Sequence, residues 1–432
     1  MERKIYQKLL EWKNSDFRKP LILQGARQVG KTYIVNLFAG REYVNYVYCN
    51  FEKEKDLEDF FNNLNPTNII HKLENYKRKE ILPKNTLIIF DEIQACPKAI
   101  TSLKYFNEEA NEYHIIALGS LLGVSVNRSN FSFPVGKVQF LNMYPMDFEE
   151  YLLACNENYL MEQIKESFNK DLPLDNLFHE RAIEYYKEYL YVGGMPEVVE
   201  NYIKNKNVEM VRIAQMSVLE AYQNDMSKYN KQSEIPKTKI VYKNISTQLA
   251  KENKKFQYKY VKSGGRASEF EGAIEWLCLS GIASRLYRVE QINLPLNAYR
   301  SLTDFKFYMN DVGLCSASQD IHFDDIQRDN ILLSNFKGGL TENYVYNQLT
   351  SNGLSLYYWT SGNQAEVDFI SRIKDDIIPI EVKASDNTRS RSLSVYINKY
   401  LPKYSLRLSL KNFGFENGIK SIPLYAIFCI EK

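Results

Sequence analysis

Three groups of residues in this chain have the types and spacing that chemistry demands. The first is Gln24-Gly25-Ala26-Arg27-Gln28-Val29-Gly30-Lys31-Thr32-Tyr33, a G-x-x-x-x-G-K-T that directly follows the apolar run Pro20 to Leu23. Gly25 and Gly30 permit a tight loop with inward N–H groups, Lys31 can reach β- and γ-phosphates, and the Thr32 hydroxyl can hold Mg²⁺. Tyr33, Ile34, Leu37 and Phe38 continue in a helical pattern, so the bound anion would rest on a helix N-terminus. The reading is a nucleoside triphosphate site from Gly25 to Tyr33; the bland alternative is a glycine-rich turn.

The second group closes the run Thr86-Leu87-Ile88-Ile89-Phe90 with Asp91-Glu92. A buried strand there delivers two carboxylates to the edge where phosphates lie. Asp91 is placed to hold the Mg²⁺ shell and Glu92 to polarise the attacking water, because phosphoryl transfer needs positioning and charge neutralisation. A further apolar run, Ile115 to Leu118, ends at Gly119-Ser120. The Ser120 hydroxyl either orients water or γ-phosphate, or is a simple turn residue.

The third group is C-terminal. Gln364 to Ile370, a polar turn, and Ile378 to Ala384 read as a hairpin carrying Asp368, Glu381 and Lys383. Residues i and i+2 of a strand share a face, so Glu381 and Lys383 point together and can converge with Asp368. Two carboxylates, Asp368 and Glu381, would hold Mg²⁺ while Lys383 orients water. Upstream, Gly338-Gly339 opens a helix from which Glu342 completes the set. Helix Glu, strand Asp and strand Glu-x-Lys resemble the PD-(D/E)xK nuclease fold, and the alternative is a half-buried hairpin with outward charges.

These groups need elements to hold them. The chain's 432 residues, 44% hydrophobic, suffice for several cores. A net charge of +2 excludes a whole-molecule polyelectrolyte, so nucleic-acid contact must come from local patches. Such a patch runs from Lys231 to Arg266, with ten Lys/Arg against Glu234 and Glu252. Six scattered cysteines and four histidines, without metal-ligand spacing, argue against structural zinc and a disulfide framework. No signal-peptide core or membrane-length apolar run is legible, so a cytoplasmic location without membrane contact is expected. Up to about Tyr144, apolar runs alternate with amphipathic stretches, which indicates a parallel sheet with helices on both faces. From Phe148 the pattern is helical, broken at Val192-Gly193-Gly194-Met195-Pro196. Helical signals around Tyr242 to Ser280, followed by Ile282 to Val289, fit a winged helix-turn-helix.

The chain resembles the AAA-type ATPases that pair an AAA_14 domain with a DUF4143 domain. The segments carrying the likeness are Leu21 to Thr32, Leu87 to Gln94, Ala117 to Leu121, Tyr144 to Glu150, Gly193 to Glu197 and Phe305 to Leu314. The resemblance implies an α/β fold: a P-loop ASCE/AAA-type parallel-sheet core (1–147), a helical lid (148–230), a winged-helix-like domain (231–328) and a restriction-endonuclease-like α/β domain (329–432). It implies ATP and Mg²⁺ as cofactors, and Pro196 as part of a lid element touching nucleotide, though Gly-Met-Pro is equally an ordinary helix break. DNA is the expected macromolecular partner, and self-association is compatible with the family. Where the family usually has Gly-Arg-Val, this chain has Gly136-Lys137-Val138; lysine lacks the planar fork of an arginine finger. Arg128 is the nearest substitute.

Two output readings follow. In one, nucleotide state controls DNA binding or Mg²⁺-dependent cleavage at the C-terminal group; in the other, an ATP-driven switch binds DNA or a protein through a nuclease-like module that does not cut.

Overall fold

The computed structural model describes residues 1–119, 123–124, 133–328, 331–362, 365–384 and 391–432. Ser120 and Arg128 lie outside them. The chain divides into two compact units, Glu2–Tyr144 with Leu279–Gly281, and Met1 with Pro145–Cys278 and Ile282–Lys432. The segments read as lid, winged helix and nuclease-like domain thus fall mostly within one unit.

The first unit is built on five strands: β1 (Leu21–Gln24), β2 (Asn45–Asn50), β3 (Thr86–Asp91), β4 (His114–Gly119) and β5 (Gln139–Asn142). They lie in the order β2-β3-β4-β1-β5, and every pairing is parallel. A parallel strand covered on both faces must be apolar throughout, and every residue of β3 and β4 is buried. Leu87 to Phe90 and Ile115 to Leu118 supply that surface. β4 lies between β1 and β3, so the carboxyl ends of β1 and β3 flank it on either side. Ligands of open α/β sheets bind at such ends.

The second unit opens with helices Phe148–Ala154, Asn158–Lys170, Asn176–Val192, Pro196–Asn205 and Val208–Tyr229. Asp147 starts the first of these with a capping box: its carboxylate accepts the Glu150 N–H, and the Glu150 carboxylate accepts the Asp147 N–H. Three more helices, Ile235–Leu249, Tyr258–Val261 and Ala267–Leu279, precede the antiparallel pair β6 (Ala283–Val289) and β7 (Arg300–Met309). This is the helix and hairpin order expected of a winged helix, with a difference. The hairpin does not stand free, because β6 pairs in parallel with β8 (Leu356–Thr360). It thereby joins β9 (Glu366–Ile373), β10 (Asp376–Val382), β11 (Ser405–Ser409), β12 (Gly414–Glu416) and β13 (Ile419–Pro423) in one eight-stranded mixed sheet. Leu286 and Val289 are buried, which gives β6 apolar surface to cover.

Three segments that carry the family likeness meet in this unit. Asp311 accepts the N–H groups of Gly194 (2.7 Å) and Leu314 (2.8 Å). The Gly194 carbonyl accepts the Met146 N–H at 2.7 Å. A Cβ on Gly194 would lie 1.9 Å from the Met146 carbonyl oxygen, so only glycine permits this approach. The Gly-Gly-Met-Pro break is therefore a packing joint between the start of the helical segment and the strand-to-helix turn at Asp311.

Candidate functional site

At the carboxyl end of β1 the chain turns sharply. Gly25 has φ +154°, and a Cβ there would stand 2.1 Å from the Met143 carbonyl oxygen; Gly30 has φ +93° and is the N-cap of helix Lys31–Glu42. Both glycines are demanded by backbone geometry. Ala26 and Val29 are buried and anchor the loop, while Arg27, Gln28 and Tyr33 are exposed. A residue that sequence reasoning missed fixes the loop's far side: Arg3 donates to the Val29 carbonyl at 3.0 Å and to the Tyr144 carbonyl at 2.7 Å. An arginine in an N-terminal charged stretch carries no signal of such a role.

The Lys31 ammonium folds back on its own loop, donating to the carbonyls of Gly25 (2.9 Å) and Ala26 (2.8 Å). Thr32 Oγ1 lies 3.1 Å from Asp91 Oδ2, so loop and β3 bring a hydroxyl and a carboxylate together. The Tyr48 hydroxyl, at the end of β2, donates to the same carboxylate oxygen. The Asp91 Oδ1 accepts the Glu92 N–H at 2.9 Å. These are hard oxygen donors beside a glycine turn that opens a helix, and hard oxygen donors are the chemistry Mg²⁺ selects. Asp91 is buried at 5% exposure with hydroxyls and a backbone N–H as partners, so the set fits a divalent ion and a triphosphate. Glu92 has φ +52° and accepts a hydrogen bond from Gln94. Burial is the main cause that raises its pKa, the Gln94 hydrogen bond opposes it, and Asp91 adds to the rise. A raised carboxylate suits a group that must take and return a proton.

Pro196 is the first residue of its helix and belongs to the second unit. Lys137 pairs with Glu108 at 2.8 Å within the first unit. That bridge gives the ammonium a local partner on helix Pro97–Glu109.

In the second unit the C-terminal residues do assemble. Glu342 sits in helix Ser334–Ser351, Asp368 in β9 and Glu381 in β10. Asp368 Oδ2 accepts the Val382 N–H at 2.8 Å, and the Lys383 ammonium meets Glu381 Oε1 at 2.8 Å. Gly338-Gly339 does not open the helix, which starts at Ser334. Gly339 lies inside it, where a Cβ would come within 2.1 Å of the Leu249 carbonyl oxygen; the glycine lets the helix pack onto helix Ile235–Leu249.

Three further residues enter the group. Lys306 of β7 is wholly buried, with its ammonium 2.6 Å from Glu366, 3.2 Å from Glu342 and 3.9 Å from Asp368. Lys254 pairs with the other oxygen of Glu342. Burial favours the neutral carboxyl of Glu342, but Lys254 and Lys306 outweigh it and hold the group well below the usual range. Burial opposes the charge on Lys306 too, and Glu342 leads the groups that keep it protonated. Burial, then the negative charges of Glu342 and Glu381, push Asp368 well above its ordinary value. Among the described residues no group of three or more His, Cys, Asp or Glu is arranged to hold a metal ion. Each of these two carboxylates, Asp368 and Glu381, has an ammonium near it, Lys383 at Glu381 and Lys306 at 3.9 Å from Asp368. The signal for Lys306 was in the sequence: a lysine within Phe305-Lys306-Phe307-Tyr308-Met309, where both faces are apolar, must find buried counter-charge.

Comparison with known proteins supports the resemblance to AAA_14 and DUF4143. Residues 17–152 match the AAA_14 family, an AAA domain; residues 183–325 match DUF8612 and residues 337–427 match DUF4143, both domains of unknown function. No curated protein matches the chain. Among solved structures, it is similar to Aeropyrum pernix ORC2 in ADPNP-ADP complexes at 12% identity, over 76% of this chain and 92% of that one, with a TM-score of 0.34. Aeropyrum pernix ORC1 in complex with DNA aligns at 12% identity over 74% and 91%, TM-score 0.27. The Thermotoga maritima RuvB branch-migration motor aligns at 16% identity over 66% and 90%, TM-score 0.28. Among the described residues no helix is long and apolar enough to cross a membrane. The match to an AAA domain thus falls mostly in the first unit, and the matches to DUF8612 and DUF4143 fall in the second.

Proposed function

We propose that the chain hydrolyses ATP at Gly25–Thr32 and uses nucleotide state to control DNA engagement, with a C-terminal sheet that does not cut. The observation that carries the hydrolysis half is the 3.1 Å approach of the Thr32 hydroxyl to Asp91 beside the loop. Thr32 and Asp91 would hold Mg²⁺, which supplies charge neutralisation at the phosphates when bound. Lys31 leaves the Gly25 and Ala26 carbonyls for the terminal phosphates, and Glu92 takes the proton of the attacking water. Ser120 is a further candidate at this site.

DNA engagement is assigned to the lysine-rich segment. Lys237, Lys254, Lys255 and Lys262 are spent on Glu234, Glu342, Asp304 and Glu269. Lys231, Lys243, Lys251, Lys259 and Arg266 are exposed. Lys251 and Lys259 lie 5.6 and 5.1 Å from the ring of Tyr260, an exposed aromatic among phosphate-seeking charges. The non-cleaving reading is favoured over the cleaving one by Lys306, whose charge already answers the carboxylates.

The test measures Mg²⁺-ATP hydrolysis and duplex binding together in the full chain. Hydrolysis should vanish in Lys31→Ala, while K243E/K251E/K259E keeps basal hydrolysis, loses DNA affinity and flattens its salt dependence. DNA affinity that ignores both nucleotide and the triple charge reversal would sink the coupling.

A further inference from the structure

The C-terminal group contains four carboxylates, Glu342, Glu366, Asp368 and Glu381, and three ammonium groups, Lys254, Lys306 and Lys383. Three of the carboxylates, on helix Ser334–Ser351 and on β9, face one ammonium. Lys306 comes from β7, whose residues Phe305 to Met309 are all buried. The Tyr308 hydroxyl donates to the same Glu342 oxygen at 3.2 Å, and the Tyr358 ring lies 5.3 Å from the ammonium. The second lysine arrives by a separate backbone route. Lys255 bridges to Lys306, and the Phe256 N–H donates to the Phe305 carbonyl at 2.8 Å, which aligns the 254–256 stretch along β7. Lys254 is thereby delivered to the remaining Glu342 oxygen.

We propose that Lys306 is the resident cation of this carboxylate group, a tethered ammonium in the place between Glu342, Glu366 and Asp368 that a divalent ion would otherwise take. The inference deepens the non-cleaving reading and rests on it: the helix Glu, strand Asp and strand Glu-x-Lys that a metal-dependent site would use are together, and the hairpin strand β7 plugs the place between them. A buried carboxylate group must be compensated by a metal or by a paired base. An ammonium supplies hydrogen bonds and one charge but cannot activate water as a divalent ion does. Lys254 completes the lock by engaging the Glu342 oxygen that faces away from Lys306.

The full chain without nucleotide is titrated with Tb³⁺, an oxygen-seeking ion whose emission Tyr308 and Tyr358 would sensitise. Wild type should show no emission component that Asp368→Asn removes. Lys306→Met should gain such a component, saturating at about one ion per chain as a site with several carboxylate ligands does, and lose it again in K306M/D368N. An Asp368-dependent component in wild type overturns the proposal. So does its absence from a folded Lys306→Met. If that variant does not fold, K306M/E366Q replaces it and is read in the same way; if neither folds, wild type against Asp368→Asn decides alone. Neither ATP nor DNA enters the titration, so a failure of the ATPase or DNA reading leaves its result intact.

Discussion

Each unit of this chain sets an aspartate among partners on neighbouring elements, buried Asp91 at the end of β3 and half-buried Asp368 in β9, and the partners differ in kind. Asp91 is met by the hydroxyls of Thr32 and Tyr48 and by a backbone N–H. Asp368 is met by a backbone N–H and faces the ammonium of Lys306, which also engages Glu342 and Glu366. Hydroxyls orient a carboxylate without cancelling its charge, so the first site keeps a demand for a cation. Ammonium groups cancel it, so the second site's demand is already met. The carboxylates alone do not say which site takes metal; the groups beside them do.

Substitutions at the first site should separate chemistry from binding. Glu92→Gln keeps the shape and removes the base, so ATP turnover should fall roughly 10²- to 10⁴-fold with ATP affinity retained; single-turnover hydrolysis and nucleotide binding measured on one preparation check this. The same change at Asp368 should leave turnover untouched.

At the second site the effect should fall on stability. Lys306→Met takes one of two ammonium groups from Glu342, and removing one partner of a buried ion group costs about 3–5 kcal/mol. Urea unfolding of the second unit reads this loss directly. Were the lysine a surface bystander, the change would be within about 0.5 kcal/mol.

A smaller contrast concerns hydroxyls. Tyr48→Phe removes a hydrogen bond to Asp91, worth about 0.5–1.5 kcal/mol, and should weaken Mg²⁺-dependent ATP binding by less than about tenfold. An effect as large as that of Glu92→Gln would mean that Tyr48 takes part in the chemistry and not merely in positioning.

A separate effect is expected on pH dependence of the first unit. Burial lowers His114 from 6.5 to about 4, with Arg18, Lys13 and Lys84 adding to the shift, and its Nδ1 lies 2.7 Å from the Tyr43 hydroxyl. A histidine with a depressed folded pKa binds its proton more readily unfolded, so its contribution is full above pH 6.5 and is lost as pH falls towards about 4. Thermal unfolding between those values should lose less stability on acidification in His114→Gln than in wild type.

How far the sequence spoke depended on the kind of constraint. The parallel sheet was legible because β1, β3 and β4 are continuous apolar runs, and the phosphate loop because its glycines are fixed by backbone geometry. Glu342, Asp368, Glu381 and Lys383 could be proposed from strand period and order. Lys306 and Lys254 were not, because they reach the group through tertiary pairing of β7 with the 254–256 stretch; Glu366 was passed over although it lies two residues before Asp368 on the same strand. Arg3 and Tyr48 escaped for the same reason: nothing local marks a side chain whose partner is distant in sequence. The union of the β6 and β7 hairpin with the C-terminal sheet depends on a parallel β6 to β8 pairing across several intervening helices, which periodicity does not report.

The most direct test of the contrast between the two sites is a count of bound Mn²⁺ by electron paramagnetic resonance of the free ion, on the full chain with and without a non-hydrolysable ATP analogue. One Mn²⁺ per chain, bound only with the analogue, weakened by Thr32→Val and unchanged by Asp368→Asn, is the predicted result. An ion bound without nucleotide and lost in Asp368→Asn would contradict it.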